Sequence, residues 1–295
     1  MPPRTIRNDW KVVDLIDRAK TFFQNKGIAD TARLDAELLL ARVLGCGRID
    51  LYVRFDRIVA EPQLSEFREL VRQRGARRPV KQILGRCEFM SHELEITPDV
   101  LVPRPETETL VACVLAGLAD GPQAVADIGT GSGAIAVAIA LARPEATVYA
   151  TDISRDALEV ARRNMEKHGL TDRVTTATGD LFEPLARLGL EGTLDVVVAN
   201  PPYVAESEFA DLMPEVAEHE PRVALVSGPD GMEHTRRLLA EAPAYLRPGG
   251  LLAVETSPTT APRARAQAEA HDAYEGVRTA PDLNKTERVL LARKR

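Results

Sequence analysis

From residue 124 onward the chain repeats one pattern: a short apolar run, a turn, a helical segment, then another apolar run. Nothing else in the sequence limits the fold so sharply. Runs at 124–128, 147–151, 174–178, 194–199 and 251–255 have the length and β-branched content of buried strands. Residues 129–142 form a loop and then an Ala-rich helix, and helical segments follow at 154–168, 230–246 and 259–271. Strand and helix in alternation mean parallel strands joined by crossovers, with helices on both faces of the sheet. Two β-type segments near 274–280 and 287–292 close the chain as an antiparallel edge. The expected fold class is α/β, a Rossmann-like sheet of seven strands.

In such a sheet, ligands bind beyond the carboxyl ends of the strands. The run 194–199 ends in Asn200-Pro201-Pro202-Tyr203. Two consecutive prolines cannot continue a ladder, so a stiff loop holds Asn200 at the strand end. The Asn200 side-chain oxygen and the Pro201 carbonyl can both accept from one planar NH2 group. Tyr203 offers an aromatic face for a flat group, and Pro202 completes the wall. A proline-rich turn is the plainer reading of Asn-Pro alone. The whole tetrapeptide, about seventy residues after a glycine-rich loop, favours a clamp for an amide or amino nitrogen.

That loop is Asp127-Ile128-Gly129-Thr130-Gly131-Ser132-Gly133. Its glycines let the backbone turn tightly and approach a ligand at a helix N-terminus. The same residues, with Ala134, also fit a dinucleotide fingerprint. Asp152, at the end of the second strand, suits ribose hydroxyls under either reading. Asp180, after the third, suits an exocyclic adenine amine. Helix caps or turns are the plainer roles for both. Asp127 can meet an ammonium group, which a dinucleotide lacks and S-adenosylmethionine has. Upstream, Pro103-Arg104-Pro105-Glu106-Thr107-Glu108 starts a helix running to about residue 118, with Pro105 in its first turn and the acids at its positive end. A helix start alone does not account for Arg104, set between two prolines near the sheet.

The first part of the chain differs. Helices are expected at 9–26, capped by Asp9, then from Asp30 or Thr31 to Gly45, and at 62–77, with a short piece at 51–55. This gives a helical domain over 1–82, a β-hairpin linker over 83–103 and a catalytic domain over 104–295. The helical domain holds no catalytic constellation, so recognition or docking falls to it. Residues 1–85 carry 17 Lys and Arg against 11 Asp and Glu, while the remainder carries 21 against 33. The basic excess gathers in Arg68, Arg72, Arg74, Arg77, Arg78, Lys81 and Arg86, where a solvated helix face is the plainer reading than a nucleic-acid or ribosome contact.

With 44% hydrophobic and 28% charged residues, the composition is that of a soluble globular protein. The apolar run 134–142 is too short to span a bilayer, and no signal-peptide core stands in the first thirty residues. Cytoplasm, with no membrane partner, is the expectation. Cys46, Cys87 and Cys113 form no CxxC pair and the five histidines show no ligand spacing, so no metal is expected.

Together these residues resemble the class I S-adenosylmethionine methyltransferases, and among them the glutamine N5-methyltransferases that modify peptide-chain release factors. The resemblance covers nearly the whole chain. It includes the helical N-terminal domain, Gln82-Ile83-Leu84-Gly85, residues 102–108, the glycine loop, Asn200-Pro201-Pro202-Tyr203, Glu220-Pro221-Arg222-Val223-Ala224-Leu225 and the turn from Gly228 to Gly231. It departs where the family has Glu-Ile-Gly, here Glu255-Thr256-Ser257-Pro258, and where it has a Gly-Arg-Asp-Arg loop, here Asn284-Lys285-Thr286-Glu287-Arg288. The resemblance implies S-adenosylmethionine as cofactor, held by Asp127, Gly129, Thr130, Gly131, Ser132, Gly133, Asp152, Ile153, Asp180, Leu181 and Asn200. It implies a target amide held by Asn200, Pro201, Pro202, Tyr203 and Arg104, with Asn200, Pro201 and Tyr203 catalytic. The implied partner is a release factor, through its Gly-Gly-Gln loop and on the ribosome, with no sequence-specific nucleic-acid binding. Alternative substrates are a glutamine of a ribosomal protein, another amide, or adenine N6 of a nucleic acid; a docking protein that binds cofactor without catalysis is a further alternative.

Overall fold

The computed structural model describes residues 10–295. The helix cap expected at Asp9 lies outside them. The chain divides into two compact units. One comprises the residues up to Gly85 together with Pro214–His219, and the other comprises Arg86–Met213 and Glu220–Arg295.

The first unit is helical, with α1 (Val12–Asn25), α2 (Ala32–Leu44), α3 (Arg48–Val53), α4 (Gln63–Gly75) and α5 (Val80–Leu84). Val12, Leu15, Ile16, Ala19 and Phe23 recur at helical spacing, and that stripe is the buried face of α1. It packs with Leu39, Leu40 and Phe67 into one core. Each buried Val, Leu, Ile or Phe here stabilises the fold by about 1.5–3 kcal/mol. Arg74 crosses this unit in a buried ion-pair network. Its Nε donates to Asp35 Oδ2 at 2.7 Å and its Nη1 to Glu215 Oε1 at 3.1 Å. Arg77 donates to the other Glu215 oxygen at 2.5 Å. Gln82 Nε2 donates to the His219 carbonyl at 2.9 Å. These bonds hold Pro214–His219 in the helical unit. Of the basic residues grouped near the end of this unit, Arg68 and Arg72 are also paired, with Glu61 and Glu69.

The second unit opens with the hairpin β1 (Arg86–Phe89) and β2 (His92–Glu95). There follow α6 (Pro105–Gly117), β3 (Ala124–Ile128), α7 (Ala134–Ala142), β4 (Thr147–Asp152), α8 (Arg155–Lys167), β5 (Val174–Thr178), α9 (Glu183–Arg187) and β6 (Leu194–Ala199). After β6 come the helix Glu233–Tyr245, β7 (Leu246–Glu255), the helix Ala261–Glu269, β8 (Tyr274–Pro281) and β9 (Glu287–Lys294). The main sheet has seven strands in the order β5-β4-β3-β6-β7-β9-β8. The first five run parallel, and β9 lies antiparallel between β7 and β8. The α/β class, the seven strands and the antiparallel edge are those expected.

One core lies between the sheet and α6, α7, α8 and the hairpin; the other lies under α9 and the last two helices. Strand β6 is buried on both faces, which is why its residues are almost all apolar. Arg247-Pro248-Gly249-Gly250, which lie between the helical segment 230–246 and the run 251–255 in the sequence, sit inside β7, because the β6–β7 register shifts there and these residues bulge out. The hairpin packs on α8. Asn164, fully buried, accepts from the Glu95 backbone N–H at 2.6 Å and donates to the Glu95 and Ser132 carbonyls. It thereby ties the hairpin to the glycine loop.

Candidate active site

Strands β3 and β6 are neighbours, and their register sets Ile128 opposite Ala199. Gly129 and Asn200 therefore leave the sheet side by side. The chain turns in opposite directions beyond them and opens a cleft of about 870 Å3, counting the space at its mouth. Its wall includes Gly129, Gly131, Asp152, Ile153, Asp180, Leu181, Asn200, Pro201 and Pro202. Nine of the residues singled out from sequence thus meet at one cleft. Asp127, Thr130, Ser132, Gly133, Tyr203 and Arg104 lie behind or beside the wall.

The glycine loop is a cradle. Gly129 and Gly131 have φ of +72° and +55°, and a side-chain carbon on either would meet no neighbouring atom within 4 Å. Left-handed backbone and open space together are what close approach by a ligand needs. Gly133 has a different task, because its own Cβ would stand 3.2 Å from that of Ala161 on α8. Asp152 accepts from Gly131 N–H and from Ser154 N–H, each at 2.9 Å. Burial raises its pKa. A carboxylate has about four acceptor sites, so capacity remains here for a hydroxyl donor. Asp180 is paired with Arg237 at 2.8 Å. Ile153 is an exposed apolar side chain at the cleft, suited to one face of a planar ring.

Asp127 is fully buried beneath this loop. It accepts from Thr130 Oγ1 at 2.6 Å and from the Ala136 backbone at 3.1 Å, while its Oδ1 has no hydrogen-bond partner among the described residues. Burial pushes its carboxyl up to about 7. A cation brought near the loop would favour the charged form.

Asn200 donates from Nδ2 to Thr107 Oγ1 at 3.2 Å. Its Oδ1 is therefore turned away from Thr107. The following loop is stapled to residues 225–228: Val204 N–H donates to the Leu225 carbonyl, Ser227 N–H to Val204, and Glu206 N–H to Gly228. Burial pushes the Tyr203 phenol up to about 12. Arg104 donates to Glu220 Oε2 at 2.5 Å, and Glu220 Oε1 accepts from the Val102 backbone. Arg104 thus ties the start of α6 to the segment at Glu220.

Several side chains entered the site without a role from sequence: Thr107, Glu220, Glu255, Asn164 and Arg237. Their roles come from contacts between positions far apart in the chain, which periodicity does not reveal. Among the described residues no group of His, Cys, Asp and Glu could hold a metal ion, and no helix is long and apolar enough to cross a membrane.

A family model of the PrmC N-terminal domain matches residues 14–85, and one of the methyltransferase small domain matches residues 107–229. The release factor glutamine methyltransferase of Rhodopirellula baltica is 46% identical over 290 residues, covering 97% of each chain. That of Geobacter sulfurreducens is 42% identical, covering 83% of this chain and 84% of its own, and that of Chlorobaculum tepidum is 41% identical, covering 83% and 85%. Among solved structures, the hMettl16 catalytic domain is 16% identical with a TM-score of 0.53, covering 68% of this chain and 74% of that one. That likeness concerns the fold alone.

Proposed function

Because this chain belongs to the release factor glutamine methyltransferase family, we propose that it transfers a methyl group from S-adenosylmethionine to the side-chain amide nitrogen of a release-factor glutamine, the one in the Gly-Gly-Gln loop. The observation that carries this reading is the placement of Asn200 and Pro201 at the end of β6, on the wall of the same cleft as Gly129, Gly131 and Asp152. An acceptor pair for an amide and a glycine cradle share one space.

The cradle residues fit such a cofactor: open space above two left-handed glycines, carboxylates at Asp152 and Asp180, and a buried, partly unpaired Asp127 for an ammonium group. Gly129, Gly131, Asp152, Ile153, Asp180 and Leu181 would hold it, with Thr130, Ser132 and Gly133 shaping the loop from behind. Bound there, it supplies an electrophilic methyl on a sulfonium. The substrate amide nitrogen is a poor nucleophile because its lone pair is delocalised into the carbonyl. The Asn200 Oδ1 and the Pro201 carbonyl accept its two N–H bonds and fix the plane of the NH2 group. Pro202 and Tyr203 pack the flat amide from one side. Orientation of this kind lowers a barrier by about 7–11 kcal/mol at best. The cofactor would supply the methyl group and depart as the neutral thioether, and the proton on the substrate nitrogen would pass to solvent; Asn200 and Pro201 would hold the nitrogen in place. Arg104 serves by holding Glu220 and the cleft rim.

The helical unit, free of a catalytic constellation, would dock the partner, a release factor on the ribosome, in the cytoplasm and without sequence-specific contact to nucleic acid. The test is methyl transfer from labelled S-adenosylmethionine to a purified release factor, its Gly-Gly-Gln-to-Gly-Gly-Ala variant, and DNA. Label on the unaltered factor alone is expected. Label on the alanine variant or on DNA would contradict the reading.

A further inference from the structure

The helix Glu233–Tyr245 sets two side chains in the wall of the cleft, His234 and Leu238, which share one helix face. Arg237, beside them, reaches Asp180 Oδ2 at 2.8 Å. His234 therefore stands next to the carboxylate just beyond β5, and Asp180 and Leu181 line the same wall. The imidazole is held from behind by Ser227, which is fully buried. Ser227 Oγ accepts the backbone N–H of His234 at 3.0 Å and lies 2.9 Å from His234 Nδ1. Among the described residues that hydroxyl has no other partner, and His234 Nε2 has none.

These contacts fix which ring nitrogen carries the proton. A backbone N–H can only donate, so it takes an acceptor site of the serine oxygen. The hydroxyl proton then needs an acceptor of its own, because a buried donor left unpaired is costly. The one within reach is Nδ1. Were Nδ1 protonated, two donors would converge on the serine oxygen and the hydroxyl proton would be stranded. The neutral ring therefore accepts at Nδ1 and carries its proton on Nε2. Burial holds the imidazole below its ordinary pKa, which keeps the ring neutral. Arg237 occupies one oxygen of Asp180 and leaves the other to accept. The wall thus offers an acceptor and a donor side by side.

Resting on the functional reading above, we propose that His234 is a specificity-determining residue for the donor's base: its Nε2–H meets a ring nitrogen of adenine that flanks the amine taken by Asp180. Adenine presents that pair, an amine donor beside the bare nitrogens N1 and N7. A base with a carbonyl in place of the amine sets an oxygen against the Asp180 carboxylate. Leu181 and Ile153 supply apolar contact, which does not tell one purine from another. Ser227 acts as a positioning residue, since it keeps the proton on the nitrogen that faces the cleft.

The test is equilibrium binding, without turnover, of S-adenosylhomocysteine and its 1-deaza and 7-deaza analogues. Calorimetry at about pH 8 compares the unaltered protein with His234→Phe and His234→Gln. Each analogue replaces one ring nitrogen beside the amine by C–H. One of the two should bind the unaltered protein at least about tenfold more weakly than the parent compound, because it leaves Nε2–H unpaired. In His234→Phe that penalty should shrink to less than about twofold, while in His234→Gln, whose amide can donate from the place of Nε2, it should persist. Nitrogen-15 spectra of the histidine rings give a readout on the unaltered protein, which decides the matter if the phenylalanine variant does not fold. His234 should appear there as the Nε2–H form, and its Nε2 signal should move with S-adenosylhomocysteine but not with the weaker-binding analogue. Three results would each overturn this inference and leave the functional reading standing: no penalty lost in His234→Phe, a glutamine variant that behaves like the phenylalanine one, or a proton found on Nδ1. Failure of the unaltered protein to bind S-adenosylhomocysteine at all would overturn both.

Discussion

Gly231 is pressed against the carbonyl of Tyr203: a side-chain carbon at 231 would lie 2.4 Å from that oxygen. Gly231 also has φ of +74°, a left-handed conformation costly for any other residue. The turn from Gly228 to Gly231 thus backs the loop that carries the clamp. Gly231→Ala must push Tyr203, and with it Pro201 and Pro202, out of line. The expected result is a loss of at least about tenfold in kcat with donor affinity within about twofold, since a small misplacement of a positioned group is enough to slow transfer. Steady-state kinetics with equilibrium donor binding checks it. An unchanged kcat in a folded variant would show that the loop tolerates displacement.

Asp127 sets a pH-dependent cost on the fold. Its carboxyl is raised from 3.8 to about 7, chiefly by burial. The folded state therefore holds a proton that the unfolded chain has released, and stability falls as pH rises between about 4 and 7, remaining low above. Asp127→Asn keeps an oxygen for Thr130 and Ala136 but carries no charge. We expect it to be more stable than the parent at pH 8, by on the order of 4 kcal/mol, and no more stable at pH 4. Thermal unfolding at the two pH values measures this. The same variant should bind an ammonium-bearing donor more weakly, so stability and function oppose each other at this residue.

In the helical unit, Arg74 is 5% exposed and holds Asp35 and Glu215 at once. Arg74→Ala leaves the 2%-exposed Asp35 carboxylate without that partner. Breaking a buried pair from one side costs about 3–5 kcal/mol. Trp10 is the single tryptophan of the chain and packs against this unit's core. Its fluorescence should report the loss as a lower urea midpoint, with Glu215→Gln showing a smaller shift.

Much of this molecule was legible in its sequence because period and length carry the information. Five strand-like runs, four of them followed by a helical segment, specify a parallel sheet, and β3, β5 and β6 begin and end where those runs do. The strand-end clamp and the glycine loop were legible as residue types in a context, and the register of β3 with β6 brings them together. Helices α5 and α9 were not, since five residues show no period. The bulge inside β7 was hidden because Pro248-Gly249-Gly250 reads the same whether it ends a strand or distorts one. Pro214–His219 clusters with the helical unit through Glu215 and His219, more than a hundred residues from their partners Arg74 and Gln82. Pairing over that distance leaves no local trace. The role of Thr107 is hidden for the same reason: its hydroxyl meets Asn200 only across a separation of 93 residues.

The central claim is that Asn200 positions an amide nitrogen beside the donor's methyl group. Single-turnover transfer by Asn200→Ala, with the donor's dissociation constant measured on the same preparation, tests it most directly. The chemical step should slow by about a hundredfold or more, within what positioning contributes, with the dissociation constant changed by less than about threefold. Transfer at the parental rate with the donor still bound would contradict it.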